Sequence, residues 1–279
     1  MQSNNPVFAN NDGFNGKNAG GYASFDSSGI SSGYATGPMT HTGAGVGPMT
    51  IDTVVQKTGL TLGTVVVAAA LTWVLTGDPT AVGTSGHNAS TALYGLAGAG
   101  ALGGFALAMV NSFKKVISPA LVIGYAGLEG VFIGAMSKVY QEQFGSGVVP
   151  GAVLGTVAAV AGTLAAYRFF DIKVSNKFRT WVIGMMFGFV ALSMLDFVLG
   201  IFGSNFGFNE FGGLGLLSSV FGLGLGIMML ILDFDFIEKG IAAGLPERES
   251  WRGAFGLTVT IVWIYLEILR ILSIFGGRR

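Results

Sequence analysis

The sequence has no cysteine and little charge. None of its 279 residues is Cys, and 11% are charged against 51% that are apolar. Without Cys there is no disulfide framework, thiolate nucleophile or Cys-based zinc or iron–sulfur site. A soluble domain carries about 25% charged residues, so the composition indicates a membrane protein. The 15 basic and 15 acidic residues cancel, which removes the electrostatic case for nucleic-acid binding by the whole chain.

The first 50 residues differ in composition from the rest. They are rich in Asn, Ser, Gly and Thr, and their only charges are Asp12, Lys17 and Asp26. Because no apolar run is long enough to bury, residues 1–50 are predicted to form a disordered tail. They also lack the charged start and apolar stretch of a secretory signal, so we expect the N-terminus to stay in the cytoplasm. Residues 51–279 are then the membrane domain.

Seven apolar segments follow the tail, each close to the roughly 20 residues that a helix needs to cross about 30 Å of hydrocarbon. They cover approximately residues 58–76, 92–111, 119–140, 148–168, 180–202, 213–237 and 252–275. The alternating pattern of outer-membrane barrel strands is absent. The sequence therefore predicts an all-α integral membrane protein, a bundle of seven transmembrane helices.

The distribution of basic residues predicts the orientation. With a cytoplasmic N-terminus, most basic residues lie in the tail or the inner connections, as the positive-inside rule requires. They are Lys17, Lys57, Lys114, Lys115, Arg168, Lys173, Lys177, Arg179, Lys239, Arg248 and Arg252. Arg278 and Arg279 conflict with an odd number of crossings. A last segment that enters the membrane and returns to the same side, after six full spans, is therefore an alternative.

Glycine is abundant, with 46 residues but no Gly-X-Y period and only 7 Pro, so collagen is excluded. Four pairs of glycines stand four residues apart on the predicted spans. They are Gly130 and Gly134, Gly151 and Gly155, Gly184 and Gly188, and Gly222 and Gly226. Small residues at this spacing let helix backbones approach closely in lipid, so we expect the pairs to mark helix contacts.

Motifs of soluble enzymes occur only out of context. Residues 98–103 match the dinucleotide-binding glycine fingerprint but lie inside the second predicted span, with no strand before them. His41 and His87 stand far from any second metal ligand, and no Ser/His/Asp triad is indicated. The sequence predicts neither an enzyme nor a resident cofactor.

Acidic residues within the predicted spans are the main functional signal. They are Glu129 in the third span, Asp196 in the fifth, Asp233 and Asp235 in the sixth and Glu267 in the last. An ionised side chain at a helix centre costs roughly 2.5–3.5 kcal/mol on insertion, so these side chains are expected to face the bundle interior. Depth estimates place Asp196 and Glu267 in one layer, and Asp235 near the headgroups. Arg270, three residues after Glu267, predicts a structural ion pair on one helix face.

A buried set of carboxyl groups is compatible with three kinds of function. The first is a proton-sensitive gate or cation site, since the groups repel one another when ionised and attract cations. The second is a structural network of protonated acids. An intramembrane aspartyl protease is disfavoured, because neither the Tyr-Asp nor the Gly-x-Gly-Asp pattern occurs.

Three segments carry a resemblance to a known family. Residues 230–239 read LILDFDFIEK, residues 265–272 read YLEILRIL, and residues 127–134 read GLEGVFIG. From about residue 58 to the end, the chain resembles the Bax inhibitor / YccA-like family, also called the transmembrane Bax-inhibitor-motif family. The polar tail and the sequences of the last two helices are similar to those of an actinobacterial branch of the family.

The resemblance implies a seven-helix bundle with a central last helix and a pH-sensitive calcium leak governed by two aspartates, one on each of the last two helices. Asp233, followed by Ile237, matches the pattern of the sixth helix. The second aspartate stands ten residues before the final-helix arginine, and this chain has Thr260 there. Calcium at Asp233 is the metal site that the resemblance implies.

Two functional hypotheses follow. The first is a multi-pass protein of the bacterial plasma membrane that passes or senses cations, with Asp233 as the proton-responsive group. Glu267, Asp196, Glu129 and Asp235 would line its interior. The second is a non-transporting regulator of a membrane protease, or an accessory subunit of a larger membrane complex, whose polar tail meets a cytoplasmic partner.

Overall fold

The computed structural model describes residues 47–78 and 84–276, including their side chains except at residues 84–86 and 88. Seven long α-helices make up most of this part of the chain. They are α1 (Ile51–Leu75), α2 (Thr84–Phe113), α3 (Pro119–Phe144), α4 (Val148–Phe169), α5 (Asn176–Ile201), α6 (Gly213–Ala242) and α7 (Ser250–Gly276). Each contains a segment long and apolar enough to cross a membrane. The predicted all-helical fold with seven spans is confirmed. The predicted disordered tail lies outside the described residues as far as residue 46, as do Arg278 and Arg279.

The last helix lies at the centre of the bundle. α7 packs against α1, α3, α4 and α6, whereas α2 packs on α3 and α5 packs chiefly on α6. α7 is unbroken from Ser250 to Gly276, a length of about 40 Å at 1.5 Å per residue. A segment that enters the membrane and returns needs a turn, and this helix has none, so the structure does not support the alternative of six spans.

The first helix begins earlier than predicted because its start is capped. The Thr50 hydroxyl accepts a hydrogen bond from Thr53 N at 3.2 Å, and the Thr53 hydroxyl accepts one from Thr50 N at 3.0 Å. This reciprocal pair satisfies two backbone donors of the first turn. The polar turns between residue 51 and the predicted start at 58 are therefore helical, although they are not apolar enough to be read as part of a span.

One end of the bundle collects the basic residues and is named the basic end below. It contains the start of α1 and the connections 114–118, 170–175 and 243–249. Residues just before α1 are fixed against the last of these connections. Met49 N donates to Leu245 O at 2.7 Å, and Glu247 N donates to Gly47 O at 2.8 Å. The Met49 side chain is 1% exposed, so the chain enters the bundle at a buried position.

The glycine pairs have different environments. A Cβ added at Gly134 would lie 2.5 Å from Ala69 O, and one at Gly130 would overlap Val65 O, so α1 and α3 approach backbone to backbone. By contrast, a Cβ at Gly184 or Gly188 of α5 would meet nothing within 4 Å. The predicted contact is formed by the α3 pair and is wrong for the α5 pair within the described residues, because spacing alone does not supply a partner helix.

Candidate functional site

The centre of the site is a hydrogen bond between the last two helices. Thr260 Oγ1 on α7 donates to Asp233 Oδ2 on α6 at 2.6 Å. One turn before Thr260, Gly256 leaves room for the carboxylate, since a Cβ there would lie 3.3 Å from Asp233 Oδ1. The position at which the resemblance expects a second aspartate therefore does face Asp233, and it carries a hydroxyl group instead of a carboxylate.

Asp233 has no cation beside it among the described residues. Its side chain is half-buried, and none of the ion pairs formed by those residues includes it. A half-buried carboxylate with one hydroxyl donor and no positive partner favours the arrival of a proton or a cation. This is the chemistry that the first functional hypothesis requires.

Asp235 has a different environment from Asp233, two residues earlier on the same helix. Its buried carboxylate accepts from Arg179 at the start of α5 at 2.6 Å and from Lys239 at 2.8 Å. The side chain is 7% exposed, so it is buried among its basic partners, and its predicted place near the headgroups stays a prediction. Its oxygens hold α5 and α6 together at the basic end, and it lies apart from the Asp233–Thr260 pair.

Glu267 lies on α7 beyond Thr260, about 10 Å further along the helix axis. Its carboxylate packs over α6, where a Cβ at Gly222 would lie 2.6 Å from Glu267 Oε1. Glu267 Oε2 and the hydroxyl of Ser219, one turn before Gly222, are buried and have no hydrogen-bond partner among the described residues. The structure thus places Glu267 and Asp233 at different depths of the same interface.

Arg270 does not form the predicted ion pair. Its guanidinium donates to the carbonyl oxygens of Phe208 and Glu210 in the connection between α5 and α6. The ion pairs of the described residues, taken to 4.0 Å, do not include Glu267 with Arg270. Helical spacing placed the two residues on one face, but the loop carbonyls, remote in sequence, take the guanidinium donors.

Asp196 holds the same connection from the α5 side. Its Oδ1 accepts from Phe206 N at 2.9 Å, and its Oδ2 accepts from Asn209 N at 2.8 Å. Both carboxylate oxygens are therefore engaged by backbone amides, whereas Arg270 engages backbone carbonyls. The two charged side chains clamp one loop, so the geometry gives Asp196 a structural contact in addition to its predicted place in the interior.

A cavity of about 810 Å³ lies between α3, α5 and α7, and it is named the α3–α5 cavity below. Its polar lining consists of Ser193, Asp196, Asn205, Asn209, Glu210, Glu267 and Arg270. Most other lining residues are apolar, among them Phe132, Met136 and Trp263. Asp196 and Glu267 thus face a common space, which agrees with the depth estimate that placed them in one layer.

A model of the Bax inhibitor 1 like family matches residues 5–277 of the chain. The chain belongs to this family. It is also similar to an uncharacterized protein of Chlamydia muridarum (strain MoPn / Nigg), with 33% identity over 92 residues. That match covers 32% of this chain and 38% of the Chlamydia protein, so the chain spans well under half the length of this relative. The predicted family is confirmed, and the actinobacterial branch stays a prediction.

Glu129 of this Bax inhibitor 1 like chain faces α2 rather than the α6–α7 interface. A Cβ at Gly104 of α2 would lie 2.9 Å from Glu129 Oε2. No ion pair of the described residues includes Glu129. The structure therefore does not bring Glu129 together with Asp233, although both are half-buried acids within predicted spans.

One intramembrane charge of this Bax inhibitor 1 like bundle was not predicted as a site residue. Lys138 of α3 is 7% exposed and donates to the carbonyls of Trp73 and Gly77, both at 2.9 Å, as well as to Thr76 O. A cation at a helix C-terminus satisfies carbonyls that the last turn leaves unpaired. A lysine within an apolar segment was the available signal, but its partners lie more than 60 residues earlier in the chain.

The site offers few ligands to a metal. No group of three or more His, Cys, Asp or Glu side chains close enough to hold a metal ion occurs in the described part of the chain. Calcium takes six to eight oxygen ligands. An ion at Asp233 would therefore draw on the Thr260 hydroxyl, backbone carbonyls and water besides the single carboxylate.

Proposed function

We propose that this protein is a proton-sensitive cation leak of the bacterial plasma membrane, with a cytoplasmic N-terminus and Asp233 as the group that responds to pH. The observation that carries the proposal is the Asp233–Thr260 hydrogen bond in the middle of the α6–α7 interface. Asp233 is an intramembrane carboxylate without a basic partner among the described residues, whereas Asp235 nearby has two.

Thr260 suits both protonation states of Asp233. A hydroxyl donates to an ionised carboxylate and accepts from a protonated one. The interface is therefore able to keep its hydrogen bond while its charge changes. An ionised Asp233 attracts a cation, and calcium, a hard ion that prefers oxygen ligands, is the ion we assign to it as cargo. No resident cofactor takes part.

The proposal fixes the sign of the pH dependence. Thr260 is the polar group that α7 presents to Asp233, and the next acid on α6, Asp235, is neutralised by Arg179 and Lys239. The charge at the centre of the interface therefore depends on Asp233. Raising the pH increases its ionised fraction, so cation occupancy and flux rise with pH.

The test is calcium flux into sealed vesicles that contain purified protein and a calcium dye, across roughly pH 6 to 8. Wild type is expected to show flux that rises with pH, and Asp233→Asn is expected to lose that rise. Asp235→Asn is the matched control, since it removes an acid two residues away that is already paired. Equal and pH-independent flux in wild type and Asp233→Asn, or no flux in either, contradicts the proposal.

A second candidate function, a non-transporting regulator of a membrane protease or an accessory subunit, is favoured by the open face of α5. Gly184 and Gly188 stand one turn apart with nothing within 4 Å of an added Cβ, so a helix of a partner protein has room to approach closely there. Deleting residues 1–46 tests whether the tail binds a partner, and it spares the hydrogen bond between Met49 and Leu245. Loss of a stoichiometric partner from mild detergent on deletion supports this function, and unchanged partners exclude a role for the tail.

A further inference from the structure

Four residues of α7 form one stripe that faces α6. Gly256, Thr260, Trp263 and Glu267 are spaced by four, three and four residues, which keeps them on one face of an α-helix. Gly256 and Thr260 contact Asp233 of α6. Glu267 contacts Gly222, which lies eleven residues before Asp233 on the same helix. The stripe therefore connects the two unpaired carboxyl groups of the interface, and Trp263 lies between them.

The indole of Trp263 packs against α6 beside Gly226 and is hydrogen-bonded to Gly222. Its Nε1 donates to Gly222 O at 3.0 Å, and a Cβ at Gly226 would lie 3.0 Å from its Cδ1. Its ring meets Phe189 of α5 edge to face, with centroids 5.4 Å apart. Three helices thus hold the ring between the level of Asp233 and the level of Glu267.

The Trp263 ring forms part of the wall of the α3–α5 cavity. Trp263 and Glu267 both line it, but of the described residues neither Asp233 nor Thr260 does. Glu267 is 8% exposed, and its Oε2 has no hydrogen-bond partner among the described residues. A buried carboxylate oxygen without a hydrogen-bond donor, at the wall of a cavity that other polar side chains also line, indicates a site for a positively charged ligand.

Three other charged side chains surround Glu267, and the nearest cation, Arg270, keeps a buried Nε without a hydrogen-bond partner among the described residues. From α7, Arg270 donates to loop carbonyls, and from α5, Asp196 accepts two backbone amides. α6 presents the Ser219 hydroxyl, and α3 presents Tyr140 to the cavity. Glu210 of the loop lines the same space. Of these acids, Glu267 is the one with a buried oxygen that has no hydrogen-bond partner among the described residues, and Ser219 and Arg270 lie close to it.

We propose that Glu267 is a second cation site, reached from the α3–α5 cavity, and that the Trp263 ring separates it from Asp233. The inference rests on the proposed cation leak and extends it: the permeant ion meets two carboxyl groups about 10 Å apart along α7, with an aromatic barrier between them. The ligand is a small cation that prefers oxygen ligands, since both Asp233 and Glu267 offer one carboxylate with hydroxyl or carbonyl oxygens near it.

Calcium flux tests the barrier. Trp263→Ala, which empties the space beside Gly226, is expected to raise flux roughly tenfold, equivalent to a barrier lower by about 1.4 kcal/mol. Trp263→Phe keeps a ring there and is expected to stay within about twofold of wild type. Glu267→Gln, combined with Trp263→Ala, is expected to lower the raised flux severalfold. Elution volume and melting temperature in detergent show whether each variant keeps the wild-type fold.

Thiol labelling tests the same barrier without flux, because the chain has no cysteine. A small membrane-impermeant thiol reagent, added on the side opposite the basic end, is expected to modify Glu267→Cys. The single variant Thr260→Cys is expected to resist the reagent on that side, because the Trp263 ring blocks its access. The double variant Thr260→Cys with Trp263→Ala is expected to be modified. Equal labelling of Thr260→Cys with and without the ring, or no labelling of Glu267→Cys, overturns the inference.

The two proposals fail in different ways. If Asp233→Asn removes the pH dependence but Trp263→Ala and Glu267→Gln leave both flux and labelling unchanged, the second site is refuted and the leak stands. If no vesicle shows flux, the leak is refuted, and labelling alone then decides whether Trp263 separates the two positions.

Discussion

The middle of the α6–α7 interface and the basic end of the bundle treat the same type of side chain in opposite ways. Asp235 at the basic end meets Arg179 and Lys239 at 2.6 and 2.8 Å. Asp233, two residues earlier, meets only the Thr260 hydroxyl among the described side chains. Two residues along a helix rotate a side chain by about 200°, so one acid faces α5 and the other faces α7.

The difference shows that partners decide the role of an intramembrane acid. At the basic end, opposite charges fix the ends of helices, and the acids there serve the fold. In the middle, the Asp233 carboxyl group has no basic partner among the described residues, and the response to protons or cations that we propose for it depends on this. The predictions that follow separate these roles, from the largest expected change in stability to the smallest.

Asp235→Ala is expected to have the largest effect on stability. Removing one partner of a fully buried ion pair costs roughly 3–5 kcal/mol, and we expect about 2 kcal/mol here, since exposed partners are screened and the Arg179 and Lys239 side chains are 40% and 54% exposed. Thermal unfolding in detergent measures the loss. Asp233→Ala is the matched control, and the comparison breaks down if it destabilises the protein as much as Asp235→Ala does.

Thr260→Asp would restore the two-aspartate arrangement that the family resemblance implies. Two ionised carboxylates facing each other repel, so we expect a loss of about 1–2 kcal/mol at high pH, where both are ionised, and a smaller loss at low pH, where one holds a proton. Calcium should reverse the loss, because a ligand of the folded state stabilises it. Melting curves with and without calcium, for Thr260→Asp beside Thr260→Asn, test this. If calcium raised the melting temperature of both variants equally, a calcium site shared by Asp233 and the introduced aspartate would be contradicted.

Thr260→Val keeps the shape of the side chain but removes the hydroxyl that Asp233 accepts from. We expect a loss of about 1 kcal/mol, because the carboxylate is left without its hydrogen bond. Thr64→Val is a control on an exposed hydroxyl, which bonds only to Leu60 O of its own helix. Equal melting temperatures for Thr260→Val and Thr64→Val would show that the hydrogen bond at the centre contributes nothing.

Lys239→Ala is expected to have the smallest effect. Its ammonium group lies one helical turn from Asp235 and is largely exposed, and such pairs contribute about 0.3–0.5 kcal/mol. Arg179 remains to neutralise Asp235. The double variant Arg179→Ala with Lys239→Ala is expected to lose more than the sum of the single variants, since only then is the buried carboxylate left alone. Strict additivity in this cycle would mean that the two cations act independently.

Much of the fold was predictable because hydropathy reports on the solvent around each segment. All seven spans coincide with a helix, and the differences lie at ends such as residues 51–57 of α1 and the stretch from 238 to Ala242 of α6. Those turns contain polar residues, so they lower the local hydropathy and fall outside the predicted spans. Their helicity depends on caps such as Thr50 rather than on apolarity.

The acids of the site were predictable as buried residues but not as contacts. The family pattern assigned Asp233 and Thr260 to the paired positions of the last two helices, and the two side chains do meet there. The use of Asp196 and Arg270 to clamp one loop was not predictable, because the amides of Phe206 and Asn209 are positioned by a turn whose shape is not encoded in hydropathy. The contacts of Lys138 were not predictable for the same reason, since its carbonyl partners lie at the C-terminal end of α1, remote in sequence.

The hydrogen bonds of Met49 and Gly47 with the connection between α6 and α7 link the entry of the chain into the bundle to the helices of Asp233 and Thr260. Their partners, Leu245 and Glu247, lie in the connection that joins those two helices. A displacement of residues 47–49 would therefore act on one end of the α6–α7 interface as well as on the start of α1.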